Sequence, residues 1–95
     1  MVLNNYLVEF IISGVFVFII LATGNPLAIG ASLALIILIT QGMTYGMMNP
    51  MVTIVMASAG QIPVNDIVPY VIAQIMGGLV GLEVYKRYGV SVIRQ

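Results

Sequence analysis

Residues 6–22 form an apolar stretch of seventeen residues that carries one charge, Glu9. At ~1.5 Å of rise per residue, a helix of that length reaches ~25 Å, most of the ~30 Å hydrocarbon core of a bilayer. Two further stretches, 26–42 and 66–86, repeat the pattern. Only 6% of the 95 residues are charged and 61% are hydrophobic, with a mean hydropathy of +1.14. A soluble domain averages about 25% charged residues, so six charged side chains cannot solvate the surface of a soluble chain this long. Soluble enzymes, nucleic-acid binders and disordered tails are excluded on that ground. Three positive and three negative charges sum to zero and offer no electrostatic grip on phosphate. The absence of Cys and His removes thiol chemistry, most zinc and haem sites, and the usual general base. Neither catalysis nor a cofactor is expected, and what remains is an integral membrane protein. Residues 1–22 lack the positive n-region and small-residue cleavage site of a signal peptide and are read as a span.

The turns are as informative as the spans. Thr23-Gly24-Asn25-Pro26 ends the first stretch, with Asn25 suited to N-cap the next helix and Pro26 to its first position. Pro63, Asn65 and Asp66 mark the start of the last stretch, and Lys86, Arg87 and Tyr88 its exit. Between the second and third stretches lies an apolar segment that fits no simple loop, Met47-Met48-Asn49-Pro50-Met51-Val52-Thr53-Ile54-Val55-Met56-Ala57-Ser58-Ala59-Gly60. Asn49 stands at an N-cap, Pro50 at the first helical position, and Gly60 where the helix should stop. A helix over 50–59 has ten residues. It covers ~15 Å, half the hydrocarbon thickness. It is expected to be re-entrant, dipping into the membrane and leaving as a half-helix. Asn25-Pro26 is the same dipeptide before a helix long enough to cross, so Asn25 is read as a surface cap only.

An asparagine at mid-membrane has a specific chemistry. Its side-chain oxygen can accept from the N–H of Met51 or Val52, which leaves the amide nitrogen free to donate. The helix amino end adds a partial positive charge. Such a site favours a neutral molecule with an oxygen lone pair and repels cations. The non-helical backbone at Tyr45, Gly46, Met47 and Met48 would expose carbonyls, which is tolerated only in a protein-lined or wet cavity.

Met48-Asn49-Pro50-Met51-Val52-Thr53-Ile54, then Ala59-Gly60-Gln61-Ile62-Pro63, then Tyr70-Val71-Ile72-Ala73-Gln74-Ile75-Met76-Gly77-Gly78, resemble the first half of an aquaporin, of the major intrinsic protein family. That half typically reads HFNPAVTIG, AGGRFP and YVIAQVVGG. Val8-Glu9-Phe10, with Ser13 further on, resembles its opening AEFxGT. The match covers nearly the whole chain in the right order and spacing. The resemblance implies two inverted repeats, each of three spans and a half-helix, that meet at mid-membrane around a narrow pore for water or small neutral solutes such as glycerol. It implies that Asn49 is the pore amide, that Pro50 stacks at the half-helix junction beside Met51, and that Glu9 and Gln74 are buried polar braces. The departures are a single repeat, Met51 where Ala is usual, Met47 where His is common, and a short first loop. Val52 also occupies the position at which the family's second repeat carries an Arg, so one electrostatic barrier to cations is missing.

The expected fold is therefore an all-α membrane protein, a single aquaporin-like half-repeat over 1–95 with three transmembrane helices and one re-entrant half-helix. The expected function is that of an aquaporin-like channel subunit in the lipid bilayer, its pore formed by at least an inverted homodimer, with a higher ring of pores as an extrapolation. Two alternatives stand beside it. One is a non-conducting structural scaffold that keeps the half-aquaporin fold in a cellular or viral membrane, and the other a subunit that needs a separate second-half chain. Gly77-Gly78 and Gly77-xxx-Gly81, with Ser13, Gly14, Gly30 and Ala34, suit close helix contact between copies or within one. Lys86, Arg87 and Arg94 lie on the C-terminal side, which favours a cytoplasmic C-terminus and opposes free inversion. Glu83 suits a pair with Lys86 or Arg87. Five of the seven Met residues fall between Met43 and Met56. Thioethers suit Cu(I), but adaptable packing is the preferred reading, and no metal site is expected. Thr44, Tyr45 and Thr53 either line a polar vestibule or satisfy backbone groups.

Overall fold

The computed structural model describes residues 4–89, so Arg94 lies outside the described residues. The elements run α1 (Asn5–Thr23), α2 (Pro26–Thr40), α3 (Pro50–Ser58), a 3₁₀ turn (Val64–Asp66) and α4 (Ile67–Tyr88), with no strand among the described residues. Each of the first three helices starts on an asparagine. Asn4 accepts from the N–H groups of Tyr6 and Leu7, Asn25 from Leu27 and Ala28, and Asn49 from Met51. Each cap satisfies donors that the first turn leaves without a helical partner. Gly24 closes α1 in the left-handed conformation, φ 55°, and its N–H donates to the Ile20 carbonyl.

Two helical stretches, Asn5–Thr23 and Val64–Tyr88, are long and apolar enough to cross a membrane, with mean hydropathies of 2.3 and 1.7. The apolar helix α2 has 15 residues and covers ~22 Å. It ends two residues before the expected limit, because Gln41 leaves the helical conformation at ψ 134° and Gly42 follows in the left-handed region, φ 86°. The helix α3 has 9 residues.

The bundle is built on the crossing of α1 and α4, the most extensive helix contact in the chain. Glycines set its closeness. A Cβ at Gly14 would sit 2.9 Å from the Gly77 carbonyl oxygen, one at Gly77 would strike the Phe10 carbonyl, and one at Gly81 the Gly14 carbonyl. Gly14, Gly77 and Gly81 thus serve a contact within the chain, whereas a Cβ at Gly30 would meet nothing within 4 Å. Among the described helices α2 touches α1 alone, and α3 packs on α4. Met47, Ala57, Ile62 and Tyr70 form the core where the short helix and its flanking loops meet α4, with Tyr6, Val52, Met56 and Ile67 against it. Tyr6 donates to Asp66 at 2.9 Å and stacks edge-on against Tyr70, which joins the starts of α1 and α4. Asp66 marks the start of the last helix as expected, but its carboxylate makes no cap bond. Its Oδ1 is taken by Tyr6 instead.

Candidate functional site

The segment between α2 and α3 is irregular, and its backbone is held by one carboxylate. Glu9 is completely buried. Its Oε1 accepts from the Met48 N–H at 2.9 Å and from Gln74 Nε2 at 3.1 Å. Its Oε2 accepts from the Met47 N–H at 3.1 Å and from the Thr44 hydroxyl. Four donors fill the acceptor sites of an ionised carboxylate, and successive backbone N–H groups form an anion-binding concavity. Left-handed residues on this stretch, Gly46 at φ 62° and Met48 at φ 53°, bend the backbone around that carboxylate. A non-glycine residue in this region is uncommon, and Met48 sits there with its N–H bound to Glu9.

A second chain of hydrogen bonds runs from Glu9 to the start of α3. Gln74 Nε2 donates to Glu9 and, at 2.7 Å, to the Thr53 hydroxyl. The Thr53 hydroxyl in turn donates to the Asn49 carbonyl at 3.1 Å. Thr53 and Gln74 are both buried. The side chains of α1, α3 and α4 are thereby tied together around the residues that precede the short helix.

Asn49 ends this segment. Its Oδ1 accepts from the Met51 N–H at 2.8 Å, and its carboxamide nitrogen finds no acceptor among the described residues. Asn49 is exposed, and so is Met51, at 65%. A groove of about 330 Å³ opens beside them, lined by Phe16, Leu33 and Ile37 on one side and by Gly46, Met48 and Asn49 on the other. Tyr45 and Met47 also border it. The amino end of α3 therefore faces a cleft with mostly apolar walls, bordered by the Asn49 amide and by an irregular segment. That combination can bind a small neutral solute by donating a hydrogen bond to an oxygen lone pair.

The structure brings together Asn49, Pro50, Met51 and the stretch from Tyr45 to Met48, and it joins Glu9 and Gln74 directly. Of the two expectations for Thr53, the structure shows the second: its hydroxyl satisfies the Asn49 backbone carbonyl, and it also joins Gln74. Thr44 binds Glu9 and also lines a neighbouring space at the end of α2. Tyr45 is half-exposed, and its hydroxyl donates to the Gln61 carbonyl at 3.3 Å. At the far end of α4, Lys86 pairs with Glu83 at 3.6 Å on the surface.

A family model described as Major intrinsic protein matches residues 20–94. The chain is also similar to Glycerol uptake facilitator protein-like 6 of Lactiplantibacillus plantarum, with 33% identity over 90% of its length. It spans 44% of the length of that relative. No solved structure matches it. With two helices long and apolar enough to cross a bilayer, the chain is an integral membrane protein and belongs to the major intrinsic protein family.

Proposed function

We propose that this chain is one half-repeat of a channel for water or a small neutral solute. In this reading α1, α2 and α4 cross the bilayer, α3 re-enters to its middle, and Asn49 presents its amide to the conducting path. The carbonyls from Tyr45 to Met48 continue that path, and Glu9 and Gln74 keep their backbone in place. The observation that carries the proposal is the nine-residue helix α3, whose exposed, asparagine-tipped amino end opens onto the groove. A helix of that length cannot cross ~30 Å of hydrocarbon, and its uncapped N–H groups need a polar partner there. The groove needs a second wall. An inverted second copy of the chain supplies one, with its own Asn49-Pro50 turn arriving from the opposite face. The printed name of the relative makes glycerol the first solute to try beside water.

The test is stopped-flow shrinkage and reswelling of proteoliposomes. Flow well above empty liposomes is expected. Asn49→Ala should lose flow or leak cations, because the exposed carboxamide donor at the amino end of α3 is removed. A wild-type rate equal to that of empty liposomes, with assembly confirmed by crosslinking, would sink the channel reading. The exposed bulk of Met51 beside the amide would then favour a non-conducting scaffold of the same fold.

A further inference from the structure

The groove beside Asn49 has a neighbour. A cavity of about 500 Å³ lies at the end of α2, lined by Gln41, Gly42, Met43 and Thr44 together with Ile37 and Tyr45. Ile37 and Tyr45 also line the groove of about 330 Å³ that holds Asn49. They are the two residues common to both spaces and so form the partition between them. The outer space carries polar groups from Gln41 and Thr44, and the inner one leads to the Asn49 amide.

The backbone on this partition cannot swing aside. Thr44 is bound to Glu9 by its hydroxyl, and the Gly46 N–H donates to that same hydroxyl at 3.2 Å. The Met47 N–H is held by Glu9 at 3.1 Å. Gly46 lies so close to α2 that a Cβ there would be 3.3 Å from Ile37 Cα. Tyr45 is therefore anchored on both sides, and its side chain is the part free to move. Tyr45 as a whole is 51% exposed. One bond, from its hydroxyl to the Gln61 carbonyl at 3.3 Å, ties it across to the loop that follows α3. The bond is long for an O–H donor and open to solvent, so water can replace it with little loss.

We propose that Tyr45 is a size-selective barrier between the outer cavity and the Asn49 groove, with its phenol tethered to Gln61 in the narrow position. Water passes the slit between Tyr45 and Ile37, and a polyol of glycerol size passes only when the phenol turns away. The inference rests on the groove being the conducting path, and it assigns a specificity residue to that path.

Two measurements on the same proteoliposomes test it. The first is the ratio of glycerol to water flow. Tyr45→Ala should raise that ratio by about fivefold or more by widening the narrowest diameter, and Tyr45→Phe, which keeps the bulk and loses the tether, should raise it less. The second does not depend on conduction. The chain has no cysteine of its own, so Val52→Cys places a single thiol in the groove. Its modification by hydroxyethyl methanethiosulfonate, a neutral reagent of about solute size, should be faster when Tyr45→Ala is added. An unchanged labelling rate at position 52 overturns the barrier, whatever the flow. Faster labelling in vesicles that conduct nothing upholds the barrier and refutes the channel reading instead.

Discussion

Glu9 is wholly buried, and no cationic side chain pairs with it among the described residues. Its charge is compensated by donors alone, two backbone N–H groups, one hydroxyl and one amide. Replacing it by Gln puts an NH₂ group where an acceptor stood. Glu9→Gln should leave two donors facing a donor and cost about 3 kcal/mol, read as a lower unfolding midpoint in detergent. It should also free the segment from Tyr45 to Met48, read as faster amide exchange there. Ser13 is the contrasting case. Its hydroxyl is buried and unpartnered, so Ser13→Ala should be neutral or stabilise the protein by up to about 1 kcal/mol, measured in the same unfolding assay. That Glu9 accepts hydrogen bonds was legible in the sequence, because a carboxylate inside an apolar span needs donors from somewhere. Its hydroxyl partner Thr44 was not, nor was the bond of Thr53 to Gln74, because a threonine in or beside a helix can satisfy its hydroxyl locally. Thr23 and Thr40 do so, donating at 2.8 Å to the carbonyls of Ile19 and Ile36. Thr53 makes that same local bond, to the Asn49 carbonyl, and its spacing does not say that it also reaches Gln74 across the bundle.

Among the elements, helix starts were legible and helix neighbours were not. Asn25-Pro26 and Asn49-Pro50 both open helices with the asparagine as cap, and the distance to the next breaker separates them into 15 and 9 residues. The 3₁₀ turn before α4 was not legible because Asn65 and Asp66 look like capping residues, whereas Asp66 is spent on Tyr6 from the other end of the chain. The glycine spacing of α4 signalled a close helix partner without saying which helix. The structure gives that face to α1, through carbonyls of Phe10 and Gly14. Gly77→Ala should therefore push α1 away from α4 and pull Gln74 from Glu9, a loss of about 3 kcal/mol or more. Gly30→Ala is the control, with open space around it and a gain of up to about 1 kcal/mol from helix propensity. Thermal unfolding of both variants in the same detergent checks the pair. Equal behaviour would mean that the crossing at Gly77 does not hold the bundle.

For the whole molecule, what remains uncovered matters more than what is packed. Much of α2 is exposed, with Leu27, Leu35, Leu38 and Ile39 all above half, and the start of α3 presents Met51 at 65%. The bundle measures 43 Å along its longest axis, comparable to a bilayer with its headgroup layers at ~40–45 Å. Lipid can cover the apolar sides of α1, α2 and α4. With α3 re-entrant as proposed, lipid cannot cover its amino end, whose polar groups are costly in hydrocarbon. An inverted second copy does so only if the chain inserts both ways. Lys86 and Arg87, at one end of α4, bias it toward a single orientation, and so few charges make a weak bias. Tags on either end should accordingly be found on both sides of the membrane. Adding three lysines beside Gly24, at the end of the bundle that holds Lys86 and Arg87, should fix one orientation and abolish flow. Adding them beside Asn4 instead should fix the other orientation and abolish flow as well. Co-expression of the two fixed forms should restore flow, because each provides the half-helix that the other lacks. Undiminished flow from either fixed form alone would mean that the groove beside Asn49 finds its second wall without inversion.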